Sequence, residues 1–339
     1  MEFPLESLRP ARFPSPPLPL KSDSPCRVKP LIVDRFQDAS LRQVLLFTSP
    51  KAGSGASRDQ IPRLDALLQS EGLEVRTIHE VDELRSLARD TSTEGETVVV
   101  AAGGDGTLSL ASSVLFLEDR PAARTAVLPM PLGTENLLAR HFGQTAEAEA
   151  VAETIRRGSL FRLDAGKAND QPFLIMATCG FDAEVVRQMA LLRQGHINRF
   201  SYFRPILSAI RGYKFPELRL EVDDLEPLNC CWAMAFNLPR YGGGLKIEPD
   251  AVGDDGLLDV IAFKRGSILS GLRYVSEIWM GRHLHDADVT RLRGKRIKIT
   301  SSSDVPFQLD GDAGGALPLE IDTLPRHIPL LVPAQFSGE

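Results

Sequence analysis

The fold is decided by the stretch Val98-Val99-Val100-Ala101-Ala102-Gly103-Gly104-Asp105-Gly106-Thr107, in which an apolar segment runs directly into a glycine-rich turn. The apolar segment predicts a buried strand, and the residues after the turn, Leu108–Leu117, predict a helix. Glycine adopts backbone conformations that other residues avoid, and it lets a ligand approach the main chain closely. Because amides at the start of a helix point outward, the turn predicts a binding site for phosphate oxygens.

Asp105 is the charged residue of this turn. An aspartate repels a bare triphosphate, but it is suited to meeting Mg²⁺ or to accepting a proton during phosphoryl transfer. The alternative is a tight strand-to-helix turn with a capping aspartate, since generic glycine turns are common. The turn alone leaves both interpretations open.

Two further turns also follow predicted strands. Pro131-Leu132-Gly133-Thr134-Glu135-Asn136-Leu137-Leu138-Ala139-Arg140 comes after Thr125–Leu128, and Ser49-Pro50-Lys51-Ala52-Gly53-Ser54-Gly55 comes after Val44–Thr48. The last turn is not a Walker P-loop, because it lacks the Gly-Lys-Ser/Thr ending. Open α/β sheets bind ligands at the carboxyl ends of their strands. Three such turns in one domain therefore indicate a nucleotide.

The organisation of the chain changes near residue 160. Before it, strands and helices alternate, which predicts a parallel sheet covered on both faces. After it, predicted strands dominate. The expected divisions are a Pro-rich disordered tail at residues 1–40, an α/β nucleotide-binding domain at 41–160, a β-rich acceptor domain at 161–333 and a short tail at 334–339.

Composition excludes several classes of protein. The formal net charge of −6 over 339 residues argues against broad binding to nucleic acid. Four cysteines without CxxC spacing argue against a disulfide framework or a zinc site and fit a reducing cytoplasm. No apolar run approaches the roughly 20 residues that span a bilayer. We therefore expect a cytoplasmic protein.

The three turns, in this order, resemble the diacylglycerol kinase catalytic family, which includes bacterial lipid kinases, sphingosine kinases and ceramide kinases. The second half of the chain adds matching segments: Gly180-Phe181-Asp182-Ala183, Tyr241-Gly242-Gly243-Gly244, Pro249–Asp259 and Leu309-Asp310-Gly311-Asp312. The Gly-Gly-Asp-Gly turn alone also occurs in NAD kinases and phosphofructokinases. The resemblance implies an α/β nucleotide-binding domain followed by a β-rich sandwich domain, with the active site in the cleft between them. It also implies transfer of the γ-phosphate of ATP to a lipid hydroxyl, of diacylglycerol or a related lipid such as ceramide or a sphingoid base.

The resemblance further implies a role at each matched position. Nucleotide contacts are expected from Ser49, Pro50, Lys51, Ala52, Gly53, Thr77, Gly103, Gly104, Asp105, Gly106, Thr107, Leu108, Ser109, Thr134 and Asn136. A general base is expected at Asp312, with Asp310 beside it and Asp105 handling Mg²⁺–ATP. A structural Mg²⁺ is expected on Asp255 and the carbonyls of Val252 and Leu257, with a plain Asp-Gly hairpin turn as the alternative. ATP and Mg²⁺ are thus the expected cofactors.

The acceptor side is less defined. By resemblance, Asp182 and Glu184 are expected to hold the lipid headgroup; the alternative is that they are carboxylates favoured by a helix dipole. Basic and aromatic residues interleave over Phe200–Lys214, which suits either an interfacial segment or a buried core helix. We expect peripheral contact with the inner face of the membrane, and the sequence leaves a homodimer open.

Three positions depart from the family pattern: Ser49 replaces an asparagine, Leu137 an aspartate and Asp312 a glutamate. The last change retracts the carboxylate by about 1.5 Å, the length of one carbon–carbon bond.

Two other functions therefore stay open. One is a kinase of a soluble acceptor such as NAD, although NAD kinases lack the Gly-Thr-x-Asn-x-x-Ala-Arg turn. The other is a catalytically impaired nucleotide- or lipid-binding protein.

Overall fold

A computed structural model describes residues 41–48, 59–88, 96–118, 121–122, 124–192 and 212–336. Its helices are α1 (Gln60–Ser70), α2 (Val81–Ala88), α3 (Asp105–Ser112), α4 (Leu137–Phe142), α5 (Ala148–Arg157), α6 (Phe181–Leu192) and α7 (Ile268–Trp279). Its strands are β1 (Leu41–Thr48), β2 (Glu74–Ile78), β3 (Glu96–Gly103), β4 (Thr125–Pro131), β5 (Ser159–Ala168), β6 (Gln171–Phe173), β7 (Met176–Cys179), β8 (Leu218–Val222), β9 (Leu228–Cys230), β10 (Trp232–Phe236), β11 (Leu258–Phe263), β12 (Val289–Gly294), β13 (Arg296–Thr300), β14 (Pro306–Leu309), β15 (Asp312–Ala316) and β16 (Leu319–Val332). A π-helical turn, Ser113–Leu117, continues α3.

The first lobe is a parallel sheet with the strand order β2-β1-β3-β4. Thr48 pairs with Ala102, and Gly103 pairs with Pro131, so these strands end at one edge of the sheet. The central strand β3 has no polar residue between Val98 and Gly103, and its side chains are buried. Helices cover both faces of the sheet, as the continuous apolar run of β3 predicts.

The second lobe is an antiparallel sandwich. One sheet has the order β12-β11-β10-β7-β14-β15, and the other is formed by β5, β6, β8, β9, β13 and β16. A core of buried aliphatic and aromatic side chains fills the space between them. The predicted fold class, an α/β domain followed by a β-rich sandwich domain, is confirmed.

Two long strands join the lobes. In β16, Ile321 pairs with Ile297 of the sandwich, whereas Leu330 pairs in parallel with Val127 of the first lobe. β5 runs beside β16 through both regions. The two lobes therefore share one ten-stranded sheet. The division expected at residues 160 and 161 falls inside β5 and stays a prediction.

Local structure differs from the sequence expectations in the second lobe. The apolar pattern of Pro172–Thr178 predicts a single strand, but β6 ends at Phe173 and β7 begins at Met176. The interruption has a physical cause, because backbone amides at this point bind the carboxylate of Asp310 (below). The tail at residues 1–40 lies outside the described residues, and so does the Phe200–Lys214 segment apart from Gly212, Tyr213 and Lys214.

Candidate active site

The Gly103–Thr107 turn leads from the carboxyl end of β3 straight into α3. Gly104 is the N-cap residue, and its carbonyl accepts the amides of Thr107 and Leu108 at 3.0 and 3.2 Å. A β-carbon on Gly103 would collide with the side chain of Thr107. The first amides of a helix have no partner inside that helix, so the turn offers hydrogen-bond donors to an anion.

The Gly133–Asn136 turn lies directly against it. A β-carbon on Gly104 would come within 3.4 Å of the Cα atom of Gly133. Asn136, in the left-handed region at φ 48°, accepts the Gly133 amide at 3.0 Å and donates to the Gly133 carbonyl at 2.8 Å. Asn136 therefore holds the turn closed. Two of the three expected turns meet here; the third, Ser49–Gly53, lies outside the described residues.

Asp105 joins the two turns. Its carboxylate accepts the amide of Leu137 at 2.9 Å and that of Leu138 at 3.2 Å, so it caps α4. Burial raises the pKa of Asp105, and these two amide bonds oppose that shift. The alternative that Asp105 is a capping residue thus holds in part. Asp105 is the first residue of α3, but the helix that it caps is α4. Each carboxylate oxygen keeps a second lone pair that Mg²⁺ or a proton can use.

The other residues that are expected to contact the nucleotide differ in their solvent exposure. Thr77, near the end of β2, and Thr134 are exposed, and Ser109 is half-buried on α3. Leu108 is buried in the core, so only its backbone can face a nucleotide. Their expected contacts with ATP stay predictions.

Asp310 lies at the facing edge of the sandwich and is held by three backbone amides. Its carboxylate accepts Leu174 N–H at 2.8 Å, Ile175 N–H at 2.8 Å and Met176 N–H at 2.9 Å. Burial and, to a smaller extent, the charge of Asp105 raise the pKa of Asp310 to about 6, against the opposing effect of these three bonds. The charge of Asp105, in the first lobe, therefore reaches Asp310 in the second.

Asp312 follows a two-residue hairpin turn. Asp310 and Gly311 have φ values of 50° and 92°, as in a type I′ turn, and Leu309 pairs with Asp312 across it. The side chain of Gln308 accepts the Gly311 amide at 2.7 Å, which fixes the turn. Asp312 is exposed at the first position of β15. Its expected role as general base stays a prediction.

Asp182 lies beneath this site and not at its surface. The carboxylate, 6% exposed, accepts Trp232 Nε1–H at 2.6 Å, Tyr241 O–H at 3.0 Å and the hydroxyl of Thr178. Gln308 Nε2 donates to Thr178 Oγ1 at 2.9 Å and so connects Asp182 to the Asp310–Gly311 turn. These bonds hold the carboxylate of Asp182 in the interior, and its expected contact with substrate stays a prediction.

Glu184 borders an open cavity of about 730 Å³. Arg187, Tyr213 and Lys214 line the same cavity, whose far wall is the β14–β15 hairpin. The carboxylate of Glu184 pairs with Arg187 Nε at 2.7 Å. Although burial raises the pKa of Glu184, bonds from Arg187 and Gln188 bring it below the ordinary value. An ionised pair therefore lines the cavity, whose lining also includes Ala313, the residue after Asp312.

The Val252–Leu257 loop holds its aspartate against an arginine. Asp255 Oδ1 accepts the Leu257 amide at 3.0 Å, and Oδ2 is bonded to Arg293. Arg293 Nε also reaches Asp259 Oδ1 at 2.7 Å. Within the described ranges, no three His, Cys, Asp or Glu side chains form a group that could hold a metal. Because a guanidinium already neutralises the carboxylate, Val252, Asp255 and Leu257 do not fit a resident Mg²⁺ in this arrangement.

Glu135 and Gly243 form a contact between the two lobes that the sequence does not predict. Glu135 Oε2 accepts the Gly243 amide at 3.3 Å, which links the second phosphate turn to the Tyr241–Gly244 segment of the sandwich. The only sequence signal was that both residues belong to segments carrying the family resemblance. No periodicity or spacing relates positions that are 108 residues apart.

Comparisons with known proteins agree with this geometry. The family model described as the diacylglycerol kinase catalytic domain matches residues 43–168, and the YegS C-terminal NAD kinase beta sandwich-like domain matches residues 176–332. A diacylglycerol kinase from Mycobacterium tuberculosis is 30% identical over 301 residues, which cover 86% of this chain and 95% of that protein. The chain belongs to the diacylglycerol kinase family. Another member, from Bacillus subtilis, is 26% identical over 245 residues, covering 71% of this chain and 80% of that protein.

Solved structures share the fold of this family member. A diacylglycerol kinase from Bacillus anthracis str. Sterne aligns with a TM-score of 0.62 at 18% identity, covering 88% of this chain and 98% of that one. Among the helices that the structure describes, none is both long and apolar enough to cross a membrane. The diacylglycerol kinases to which the chain is similar support a lipid-kinase-like function for it.

Proposed function

We propose that this family member is an ATP-dependent lipid kinase, which transfers the γ-phosphate to the hydroxyl of diacylglycerol or a related lipid such as ceramide or a sphingoid base. The observation that carries the proposal is the meeting of three features at one cleft. Two glycine turns suited to phosphate lie in contact, the charge of Asp105 reaches Asp310, and Asp312 directly precedes Ala313, which lines a cavity. These features support a phosphoryl donor at the turns, a base at Asp312 and an acceptor in the cavity.

The transfer assigns each group a task. The acceptor oxygen attacks the γ-phosphorus, and its proton goes to the carboxylate of Asp312. The bond from that phosphorus to the β–γ bridging oxygen breaks, and ADP leaves with the electron pair. Mg²⁺ accompanying ATP would supply charge neutralisation on the phosphates, and Asp105 is the carboxylate that would meet it.

The cavity suits an acceptor with a polar head and an apolar body. Its volume of about 730 Å³ falls within the usual range for small-molecule sites. The Glu184–Arg187 pair and Lys214 supply polar groups, while Phe307 and Pro216 supply apolar surface. A diacylglycerol hydroxyl bound near Ala313 would lie close to Asp312. We further propose that the enzyme works in the cytoplasm, peripherally at the inner face of the membrane.

The deciding experiment incubates purified protein with labelled ATP, Mg²⁺ and a panel of diacylglycerol, ceramide, sphingoid base, polyprenol and NAD. Label should enter at least one lipid, and it should disappear with Asp312→Ala. Label in NAD alone would replace the lipid proposal with a soluble acceptor. ATP binding by calorimetry without transfer to any acceptor would instead identify an impaired nucleotide-binding protein.

A further inference from the structure

Helix α7 carries an apolar face that points to solvent. Ile268, Leu269, Leu272, Trp279 and the following Met280 are between 47% and 82% exposed, with Trp279 the most exposed. These are five of the eight large hydrophobic side chains that the described part of the chain exposes. Such side chains scattered singly are ordinary on protein surfaces, whereas a contiguous set on one helix indicates an interaction site.

The five side chains form one stripe, which the exposed Ser276 interrupts between Leu272 and Trp279. At about 100° per residue, they fall within an arc of about 120° on the helix surface. The opposite side of α7 holds the buried residues Gly271, Tyr274 and Ile278. The helix is therefore anchored to the sandwich by one face, and its second apolar face is available to a partner.

Charge near the stripe favours an anionic lipid surface as this partner. Lys264 precedes the helix and Arg282 follows it; among the described residues neither forms an ion pair with a carboxylate, although the charge of Arg282 acts on Glu277. Arg273 borders the stripe, but Asp286 and Asp288 pair with it. Cations at both ends of an apolar stripe that contains an exposed tryptophan match the interface of an anionic bilayer, where indole rings and basic side chains concentrate.

The buried face of α7, opposite the stripe, is connected to the cavity through Phe215. A β-carbon on Gly271 would stand 2.8 Å from the ring of Phe215, so α7 packs closely on that ring. Phe215 stacks on Phe181, at the start of α6, and meets the ring of Tyr213 at 5.1 Å. Tyr213 and its neighbour Lys214 line the cavity. The docking helix and the cavity are thus neighbours on a shared aromatic cluster.

We propose that α7 is the membrane-docking element, which lays Ile268, Leu269, Leu272, Trp279 and Met280 into an anionic lipid surface. Binding of α7 to the lipid surface does not depend on the proposed catalytic activity. The consequence that docking brings the cavity to its acceptor rests on the proposed lipid kinase function. This surface differs from the Phe200–Lys214 segment that the sequence suggested.

Flotation with vesicles tests the proposal. Wild-type protein should float with phosphatidylcholine vesicles that contain 30% phosphatidylglycerol, less so with phosphatidylcholine alone. Leu269→Ser with Trp279→Ser should reduce the bound fraction at least about 10-fold, since both side chains lose their apolar insertion. Leu225→Ser is the matched control, because Leu225 is 49% exposed in the turn between β8 and β9 and should not change binding. Thermal melting should be alike in all three proteins.

Other outcomes overturn the proposal. Equal flotation of wild type and double variant would remove α7 from membrane binding. A dimeric wild type that becomes monomeric in the double variant, with vesicle binding unchanged, would make the stripe a contact between copies.

Kinase assays distinguish failure of the docking proposal from failure of the proposed lipid kinase function. If the protein floats through α7 but phosphorylates no lipid, the proposed function fails alone. If the double variant loses activity on vesicle-embedded but not on dispersed short-chain diacylglycerol, docking serves catalysis.

Discussion

A β-carbon placed on Gly133 would stand 2.6 Å from the Cα atom of Gly104. Gly133 is thus required by the close approach of two backbones, whereas a β-carbon on Gly104 would stand 3.4 Å from the Cα atom of Gly133. Gly104 itself has an ordinary φ of −91°. The contact joins the turns that follow β3 and β4, and we expect both turns to contribute amides to one phosphate group.

Gly133→Ala should therefore disturb both turns. Forcing a methyl group into this contact costs about 1–3 kcal/mol of folding stability. Kinase activity should fall further, since displacement of about 1 Å in a positioned site can cost 100-fold. Chemical denaturation and kinase rates measure the two effects. Gly106→Ala is the control for stability, because nothing lies within 4 Å of its added β-carbon. Wild-type stability in Gly133→Ala would contradict the close contact.

Asp105→Asn should damage activity and stability together. Loss of the charge should lower turnover by about 100-fold or more, as for other electrostatic groups in active sites. The side-chain amide of asparagine cannot accept from both Leu137 and Leu138, so the cap on α4 is weakened by about 1 kcal/mol. Rates and urea unfolding test both parts. Unchanged activity on every accepted substrate would remove Asp105 from the reaction.

The sequence predicts the first lobe well because its signals are local. The apolar run of β3 and the glycines after it lie within ten consecutive residues, and the parallel sheet then places the ends of β3 and β4 together. The sequence does not predict β15 in this way, because Asp312–Ala316 contains two glycines and is largely exposed. Its pairing with β14 depends on the Asp310–Gly311 turn, and the alternating apolar pattern of a strand is absent.

The supporting contacts of the site could not be predicted, because they are long-range. Asp310 binds amides that precede it by 134–136 residues, and Trp232 reaches Asp182 over 50 residues. In sequence, Leu174 and Ile175 look like the middle of an apolar strand. Only folding shows that their amides leave the ladder and turn toward a carboxylate.

His141 should make stability depend on pH. Burial and the charges of Arg240 and Lys246 lower the pKa of His141 to about 4. Between this value and the ordinary 6.5, the unfolded chain binds a proton that the folded chain does not. Stability should therefore fall as the pH decreases from about 6.5 toward 4. His141→Gln should flatten this part of the profile, and His285→Gln, at an exposed histidine, should not. Parallel profiles for wild type and His141→Gln would exclude the effect.

Arg293 should make the Val252–Leu257 loop independent of a metal. Chelation with EDTA should leave the melting temperature of the wild type unchanged. Arg293→Met leaves Asp255 and Asp259 without their cation, which should cost about 1.5–3 kcal/mol. Added Mg²⁺ should then stabilise this variant and not Arg296→Met, the control on the adjacent strand. A wild type that EDTA destabilises and Mg²⁺ restores would place a resident ion in the loop after all.

Asp312 allows a direct test of the shortened base. Its backbone is fixed by the Asp310–Gly311 turn and by Gln308, so one methylene more or less moves the carboxylate relative to the acceptor. In an enzyme adapted to aspartate, Asp312→Glu pushes the carboxylate into the acceptor and lowers the rate, and Asp312→Ala lowers it by about 100-fold or more. Asp170→Ala, at a fully exposed residue that does not line the cavity, is the control. A gain with Asp312→Glu would identify an impaired enzyme, and equal rates in all variants would move the base to Asp310 or Asp105.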